Sequence, residues 1–267
     1  MALDIIVCGA GGRMGGAVIR AVQQSPAVTL VAAIDRAGSQ RTGKDAGEIS
    51  GFGNIGIPVS NRIDPALKRN SVIIDFTSPE ASIGYLKEAA KWRIPIVIAT
   101  TGFDARQLSA IKRLARRTPT LLSANTSLGV NVLVSLLGKA AKMLGDDYDI
   151  EIIEAHHRYK KDAPSGTALA LGRSVASALN RDLEKVGING RKGIVGARDK
   201  KEIALLSVRA GDIVGEHTVI FGGIGERLEF IHRAHSRDTF ARGAIRAAQW
   251  LVGKKSGLYG MQNMWGY

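Results

Sequence analysis

Cysteine is almost absent from this chain of 267 residues, because Cys8 is its only example. A single cysteine excludes an internal disulfide framework and suits a reducing compartment, so we expect a cytoplasmic protein. The N-terminal sequence MALDIIVCGAGG also lacks the basic segment of a signal peptide. No later apolar run approaches the roughly 18 residues of a membrane-spanning helix, so we expect no membrane span.

Aromatic residues are also scarce, at 5% of the chain, although a formal net charge of +13 raises the question of nucleic acid binding. The basic residues are spread along the chain without interleaved aromatics or a nucleic-acid-binding motif. We interpret the charge as solvated surface and attraction for anionic small molecules, and we expect no nucleic acid partner. The 45% hydrophobic content predicts a substantial core, in one large domain or two modest ones.

The stretch richest in site chemistry is EIIEAHHRYKKDAPSGTA, residues 151–168. EIIEA predicts a short strand. Histidines and cations follow it closely, at His156, His157, Arg158, Lys160 and Lys161. Ser165 is a good N-cap for the apolar periodic segment that comes next, which predicts a helix beginning at Ser165 or Gly166.

The chemistry of this stretch favours a small anion. The first turn of the predicted helix offers backbone N–H groups and the positive end of a dipole, with the basic run just upstream. The two histidines add groups whose ordinary pKa of about 6.5 suits proton transfer near neutral pH. A solvated basic loop before an ordinary capped helix is the alternative. Adjacent histidines are badly spaced for an all-protein zinc site, so we predict no metal.

A glycine turn stands between the first predicted strand and the first predicted helix. Gly9, Gly12 and Gly15 have a G-x-x-G-x-x-G spacing, which lets the backbone turn tightly and lets a pyrophosphate approach the N–H groups. Asp35 ends the next strand about 20 residues later, where an acidic residue binds ribose hydroxyls. Arg36 follows it, with Arg41 and Lys44 near, and this positive charge suits a 2′-phosphate, so we predict tolerance of both NADH and NADPH. The alternative is that Asp35 merely caps a strand.

Alternating strands and helices predict the fold class, which is α/β with a Rossmann-like doubly wound parallel sheet. The strands SVIIDFTSP, IPIVIATTGF and TPTLLSAN end in small hydroxyl residues that leave room for a cofactor. We predict a dinucleotide-binding domain over 1–126 and about 236–267. A second, α+β domain with an open mixed sheet is predicted over 127–235, for substrate binding and oligomerisation. Within it, residues 180–202 are predicted to form a polar loop.

These motifs together resemble the dihydrodipicolinate reductase (4-hydroxy-tetrahydrodipicolinate reductase) family. The 151–168 stretch fits that family's signature, and supporting matches include GAGGRMG, DFTSP, ATTGF, SANTSLGVNV, RAGDIVGEHTVIF, GERLEFIHRAHSRDTFARGA and SGLYGM. The resemblance implies reduction of a small cyclic dicarboxylate by NADH or NADPH in lysine and diaminopimelate biosynthesis. It also implies a homotetramer built through the sheets of the second domain, whose exposed apolar strands need cover.

The resemblance implies roles for individual residues as well. His156 would donate a proton, with Lys160 as its catalytic companion. The cations Arg158, Lys160 and Lys161 should lower the pKa of His156 in the free enzyme. The substrate carboxylates would be held by His157, Ser165, Gly166 and Thr167. The cofactor would be held by Gly9, Ala10, Gly11, Gly12, Arg13, Met14, Gly15, Asp35, Arg36, Ala99, Thr100, Thr101, Ser123, Ala124, Asn125 and Thr126.

Two details depart from the family pattern, and two other functions compete with the reductase. Asp35 stands where a Glu is frequent, which favours NADPH somewhat, and Thr126 stands where a bulky apolar residue is usual.

A Rossmann dehydrogenase of a sugar or an amino-acid semialdehyde shares the glycine turn but has no need of HHRYKKDAPSGTA. A redox-sensing or nucleic-acid-binding protein would use NAD(H) as a ligand and the charge of +13 for a polyanion.

Overall fold

A computed structural model describes residues 2–64, 67 and 70–266 of the chain. The chain divides into two compact units. Unit 1 comprises Met1–Ser127 and Arg237–Tyr267, and unit 2 comprises Leu128–Ser236. Each unit has a β-sheet of its own, with seven strands in unit 1 and five in unit 2.

The sheet of unit 1 is built from short apolar strands. They are β1 Leu3–Cys8, β2 Val28–Ile34, β3 Val59–Ser60, β4 Ser71–Asp75, β5 Ile96–Ile98, β6 Pro119–Leu122 and β12 Gly257–Tyr259. All neighbours pair in parallel, in the order β12-β6-β5-β4-β1-β2-β3. Near-continuous runs of Val, Ile and Leu are typical of parallel sheets covered on both faces. The predicted Rossmann-like sheet is therefore confirmed.

Several helices of unit 1 begin at a side-chain cap. The helices of this unit are α1 Arg13–Gln23, α2 Ala46–Ser50, α3 Pro79–Trp92, α4 Ala105–Ala115 and α8 Asp238–Leu251. Ser78 accepts a hydrogen bond from Ala81 N at the start of α3, and Asp104 and Gln107 form a capping box at the start of α4. The sequence analysis missed β3, α2 and β12, because elements of two to five residues are too short to show a periodicity.

Unit 2 contains an open mixed sheet, as predicted. Its strands are β7 Asp149–His156, β8 Gly187–Ile188, β9 Ile203–Arg209, β10 Gly215–Gly222 and β11 Arg227–Ala234. In the order β11-β10-β7-β9-β8, the first three strands are antiparallel and the last three parallel. Its helices are α5 Leu128–Leu144, α6 Gly166–Ala178 and α7 Leu183–Val186. A hairpin turn joins β10 to β11, with Gly225 at φ +86°.

The segment 180–202 differs from the prediction of a loop, because it contains α7 and β8. Asp182 caps α7 through Glu184 N, and the buried Leu183 packs into the core of unit 2. The rest of the segment is irregular, and ion pairs of two arginines stabilise it. Arg191 pairs with Glu151 and Glu202, and Arg198 donates to Asp149 and Glu151.

Helix α5 corrects the expectation that no apolar run approaches the length of a membrane span. With the turn that follows it, Leu128–Asp147 is long and apolar enough to cross a membrane by length and composition alone, and 28% of its most apolar window is buried. One such helix is weak evidence, since core helices of soluble proteins pass the same test. In unit 2, α5 contributes Leu133, Leu137 and Ala141 to the core.

Candidate active site

A cluster of polar side chains lies in unit 2 where β7 ends and α6 begins. At its centre is Glu154, whose side chain is completely buried. Glu154 Oε1 accepts hydrogen bonds from Arg209 Nη2 at 2.7 Å and from Ser165 N at 3.1 Å. Glu154 Oε2 accepts from Arg209 Nη1 at 2.8 Å and lies 2.5 Å from His156 Nδ1. One carboxylate thus contacts β9, the start of α6 and the predicted proton donor.

The strand geometry explains why Glu154 is buried. Alternate residues of β7 share a face, and Ile150 and Ile152 place that face in the core. Glu154 follows two residues after Ile152, and a charge buried there must be paired. Burial by itself raises the pKa of Glu154, but hydrogen bonds from Arg209 and His156 outweigh it and lower the pKa to about 2. Glu154 is therefore an anion at any working pH.

His156 is half-buried, and its pKa lies below its ordinary value. Burial is the largest cause; Glu154 opposes the shift, and the charges of Lys160 and Arg209 add to it. The predicted direction and the contribution of Lys160 are confirmed, but the sequence analysis did not foresee burial as the main cause. The His156 ring also packs edge-on against the His217 ring, with ring centroids 5.3 Å apart.

Ser165 caps α6 as predicted, because its Oγ accepts a hydrogen bond from Ala168 N at 3.1 Å. The same Oγ lies 3.1 Å from His217 Nε2. His217 is buried in β10, and burial, with the charges of His156 and His232, lowers its pKa to about 3, so its ring is neutral. Next to Gly166 there is open space, since a Cβ there would meet no described atom within 4 Å.

Lys160 and His157 lie in the turn that follows β7. Lys160 N donates to His157 O, so this segment is a turn and not a helix. The Lys160 ammonium contacts both oxygens of Asp162 at 2.9 Å. In the part of the chain that the structure describes, the buried His157 Nδ1 has no hydrogen-bond partner. The second predicted histidine therefore has a polar atom available to a ligand.

Three residues of this cluster were not predicted from the sequence, namely Glu154, Arg209 and His217. Glu154 was counted only as part of a strand, and Arg209 lies 55 residues further along the chain. A sequence signal exists for His217, because it occupies an inward position of an alternating strand between Gly215 and Val219. Such a position rarely carries a histidine without a reason.

The glycine turn of unit 1 forms a cradle that side chains would fill. Gly9 has φ +84°, which favours glycine, and a Cβ on Gly15 would overlap the Gly9 carbonyl oxygen. A Cβ on Gly11 would overlap the Asp35 carboxylate and the Arg41 guanidinium. The turn thus keeps its backbone open to a close ligand such as a pyrophosphate.

A cavity of about 660 Å³ lies beside this turn, and a second cavity of about 970 Å³ shares part of its lining. Asp35, Arg36 and Tyr85 line both of them. Asp35 accepts hydrogen bonds from Arg36 N and Ser39 Oγ, both at 2.8 Å, so it shapes the loop as well as the cavities. The structure brings Gly9, Gly11, Gly12, Asp35 and Arg36 together around the smaller cavity. Arg41 and Thr77 also line it, as does Tyr85, which was not predicted from the sequence.

The other predicted strand tips are occupied by internal hydrogen bonds. The buried Thr100 Oγ1 accepts from Thr77 N at 3.1 Å and Ser82 Oγ at 2.8 Å, whereas Thr101 is exposed. Ser123 Oγ donates to Asn125 O at 2.7 Å. Thr126 is buried, and its Oγ1 donates to Phe240 O in α8 at 2.7 Å. The remaining predicted cofactor residues are Ala10 and Ala99, which are buried, Met14, which is half-buried, and Arg13 and Ala124, which are exposed.

Among the described residues, no group of three or more His, Cys, Asp and Glu side chains is arranged to hold a metal ion. The polar cluster of unit 2 instead places cations, histidines and a helix N-terminus around the carboxylate of Glu154. Such a set can bind a carboxylate and exchange one proton with it or with a neighbouring atom.

Both halves of the chain match the two parts of one family description. Residues 3–126 match "Dihydrodipicolinate reductase, N-terminus", and residues 129–265 match "Dihydrodipicolinate reductase, C-terminus". The 4-hydroxy-tetrahydrodipicolinate reductase of Syntrophus aciditrophicus (strain SB) is 51% identical over 265 residues, which cover 99% of each chain. The protein of the same name from Thiobacillus denitrificans (strain ATCC 25259 / T1) is 49% identical over 266 residues, covering 100% of this chain and 99% of its own.

A solved structure supports the fold. The dipicolinate-bound dihydrodipicolinate reductase from Paenisporosarcina sp. TG-14 superposes with a TM-score of 0.74 and 23% identity. The match covers 98% of this chain and 99% of that chain. The two chains therefore share one fold across both units.

Proposed function

Because the chain belongs to the dihydrodipicolinate reductase family, we propose that its two units divide one reduction between them. The chain is an NAD(P)H-dependent oxidoreductase that reduces 4-hydroxy-tetrahydrodipicolinate to tetrahydrodipicolinate in lysine and diaminopimelate biosynthesis. Unit 1 binds the cofactor, and unit 2 binds the substrate and supplies a proton. The observation that carries this division is the polar cluster around His156, in which a histidine lies close to the N-terminus of α6.

His156 donates the proton in this proposal, and Lys160 is its catalytic companion. His157, Ser165, Gly166 and Thr167 hold the carboxylates of the substrate. The open space beside Gly166 and the unpartnered His157 Nδ1 support these assignments within the described part of unit 2. A bound dianion raises the pKa of His156, so the free enzyme takes up a proton when the substrate binds.

The cofactor assignment rests on the cradle of unit 1. Gly9 to Gly15 face the pyrophosphate, while Asp35 binds ribose hydroxyls and Arg36 meets a 2′-phosphate. The strand tips at 99–101 and 123–126 complete the site in this proposal. When bound, the nicotinamide supplies the hydride for the reduction. Both NADH and NADPH are accepted, because the carboxylate and the guanidinium stand next to each other at the cavity.

We assign the chain a homotetramer in the cytoplasm, with neither nucleic acid nor membrane as a partner. The face of the unit 2 sheet opposite its core supports self-association. Thr218 of β10 pairs with both Ile231 and Ile153, and Ile153 pairs with Leu206, which gives a largely apolar row across the sheet. Ile231 is 48% exposed within one chain. Such a row needs cover, and a second copy of the same sheet offers it.

The test is oxidation of NADPH and of NADH by the purified protein, with the substrate generated in place from pyruvate and aspartate semialdehyde by the preceding synthase. Oxidation should depend on the synthase. His156→Ala and Lys160→Ala should each lower turnover by about 100-fold or more while NADPH affinity stays unchanged. Lys185→Ala, which changes an exposed side chain of α7, is the matched control. Equal losses of turnover and of NADPH affinity would contradict the division of roles between the units.

A further inference from the structure

We infer that Glu154 and Arg209 form a fixed ion pair that orients His156 and determines which of its ring nitrogens exchanges the proton. Neither residue needs to touch the substrate, so both are positioning residues. The inference rests on the proposed role of His156 as proton donor. It goes further by assigning the donating atom and the origin of its pH dependence.

Both oxygens of the Glu154 carboxylate are hydrogen-bonded. Each oxygen of Glu154 has two hydrogen-bond donors, one from Arg209 and one from the site: Ser165 N for Oε1 and His156 Nδ1 for Oε2. Arg209 Nη2 also donates to Asp162 O at 2.8 Å, in the segment between His156 and α6. A carboxylate bound on all sides in this way has little freedom to rotate. The ion pair therefore fixes the ring of His156 and the first turn of α6 together.

The Glu154 carboxylate determines which ring nitrogen of His156 exchanges the proton. An ionised carboxylate can only accept hydrogen bonds, so His156 Nδ1 must carry a hydrogen whether the ring is neutral or protonated. Nε2 is then the nitrogen that gains and loses the proton. Gly215 supports this orientation, because a Cβ at that position would lie 3.1 Å from Nε2. A glycine there leaves the Nε2 edge of the ring uncrowded.

Charges of both signs surround the His156 ring. Glu154 of β7 favours the protonated ring, whereas Arg209 of β9 and Lys160 of the following turn oppose it. His217 of β10 packs against the ring and is neutral, and His232 of β11 lies behind His217. Removing the anion should therefore lower the pKa of His156, and removing the cation Arg209 should raise it.

These opposite shifts give the test. A proton donor must be protonated, so turnover falls as pH rises through the pKa of His156. Glu154→Gln should move that fall to lower pH by about one unit and reduce turnover at neutral pH by about 100-fold. Arg209→Met should move the fall to higher pH. Affinity for NADPH, which the proposal assigns to unit 1, should stay unchanged in both variants, because both substitutions lie in unit 2.

A lower turnover with an unchanged pH profile in both variants would overturn the inference, because a purely structural role does not shift the two profiles in opposite directions. A second measurement needs no variant at the ion pair. In ¹⁵N spectra of histidine-labelled wild-type protein, the His156 signals, assigned by their loss in His156→Ala, should show Nδ1 protonated throughout and Nε2 titrating. The reverse assignment would also overturn it. Since this measurement needs no turnover, it separates failure of the inference from failure of the proposed reaction.

Discussion

Asp75 ends β4 with a carboxyl group that is completely buried. Thr77 Oγ1 donates to its Oδ1 at 2.6 Å, while Oδ2 has no hydrogen-bond partner in the described part of the chain. Burial raises the pKa of Asp75 to about 6, although the hydroxyl groups of Ser82, Thr77 and Thr100 oppose the shift. Burial, with the nearby Asp75, also raises the pKa of Cys8, so both groups favour their neutral forms.

This shift predicts that Asp75 destabilises unit 1 at neutral pH. The folded state holds the Asp75 proton more tightly than the unfolded state, whose pKa is near 3.8. The stabilisation by that proton is present below the unfolded pKa and is lost as pH rises through about 6, a loss of ~3 kcal/mol. Asp75→Asn keeps an acceptor for Thr77 and removes the ionisation. The variant should therefore be more stable than the wild type at a pH of about 8, but not at about 4.

Urea unfolding followed by tryptophan fluorescence measures the stability of unit 1 directly, because Trp92, Trp250 and Trp265 all belong to unit 1. Asp212→Asn, which changes an exposed carboxylate of unit 2, is the control. If Asp75→Asn and wild type showed the same dependence of unfolding free energy on pH, Asp75 would not be the group that carries the shift.

At the scale of elements, two adjacent glycines of α1, Gly15 and Gly16, differ in the space that surrounds them. A Cβ on Gly15 would overlap the Gly9 carbonyl oxygen, whereas a Cβ on Gly16 would meet its nearest neighbour, Arg20 Nη1, at an ordinary 3.6 Å. Gly15→Ala should therefore displace the glycine turn and weaken NADPH binding by about tenfold or more. Gly16→Ala should leave NADPH affinity unchanged and stabilise α1 by up to about 1 kcal/mol.

NADPH titration measures the cofactor affinity of the two variants, and thermal unfolding measures their stability. The two variants differ from each other only in the position of one methyl group in the same helix. Equal NADPH affinities for Gly15→Ala and Gly16→Ala would show that close packing of α1 against the turn is not required for cofactor binding.

The elements also show what the sequence can predict. Long segments such as β7 and α6 have clear periodicity and a cap at Ser165, and the structure confirms them. Strands β3, β8 and β12 contain two or three residues and exist only because longer strands hold them in place. The partnership of Glu154 with Arg209 likewise depends on the parallel register of β7 and β9. Register between distant segments is set by tertiary packing, which a single sequence does not display.

For the whole molecule, the open face of the unit 2 sheet is the feature that a single chain leaves exposed. Ile231 lies on this face, because it alternates with Phe230, which packs against the core. A charge at the centre of an apolar interface must be desolvated without a partner, which costs several kcal/mol in each copy. Ile231→Glu should therefore convert the proposed homotetramer to smaller species while each chain stays folded.

Sedimentation velocity over a range of protein concentrations distinguishes these species. Leu108→Glu is the matched control, because Leu108 is an apolar residue with 38% exposure in α4 of unit 1 and lies outside the proposed interface. The wild type and Leu108→Glu should sediment as tetramers. A wild-type monomer would refute the proposed assembly, and a tetramer that survives Ile231→Glu would place the contact on another surface. Since the open face and the face bearing Glu154 belong to the same five-stranded sheet, loss of assembly should also lower turnover more than NADPH affinity.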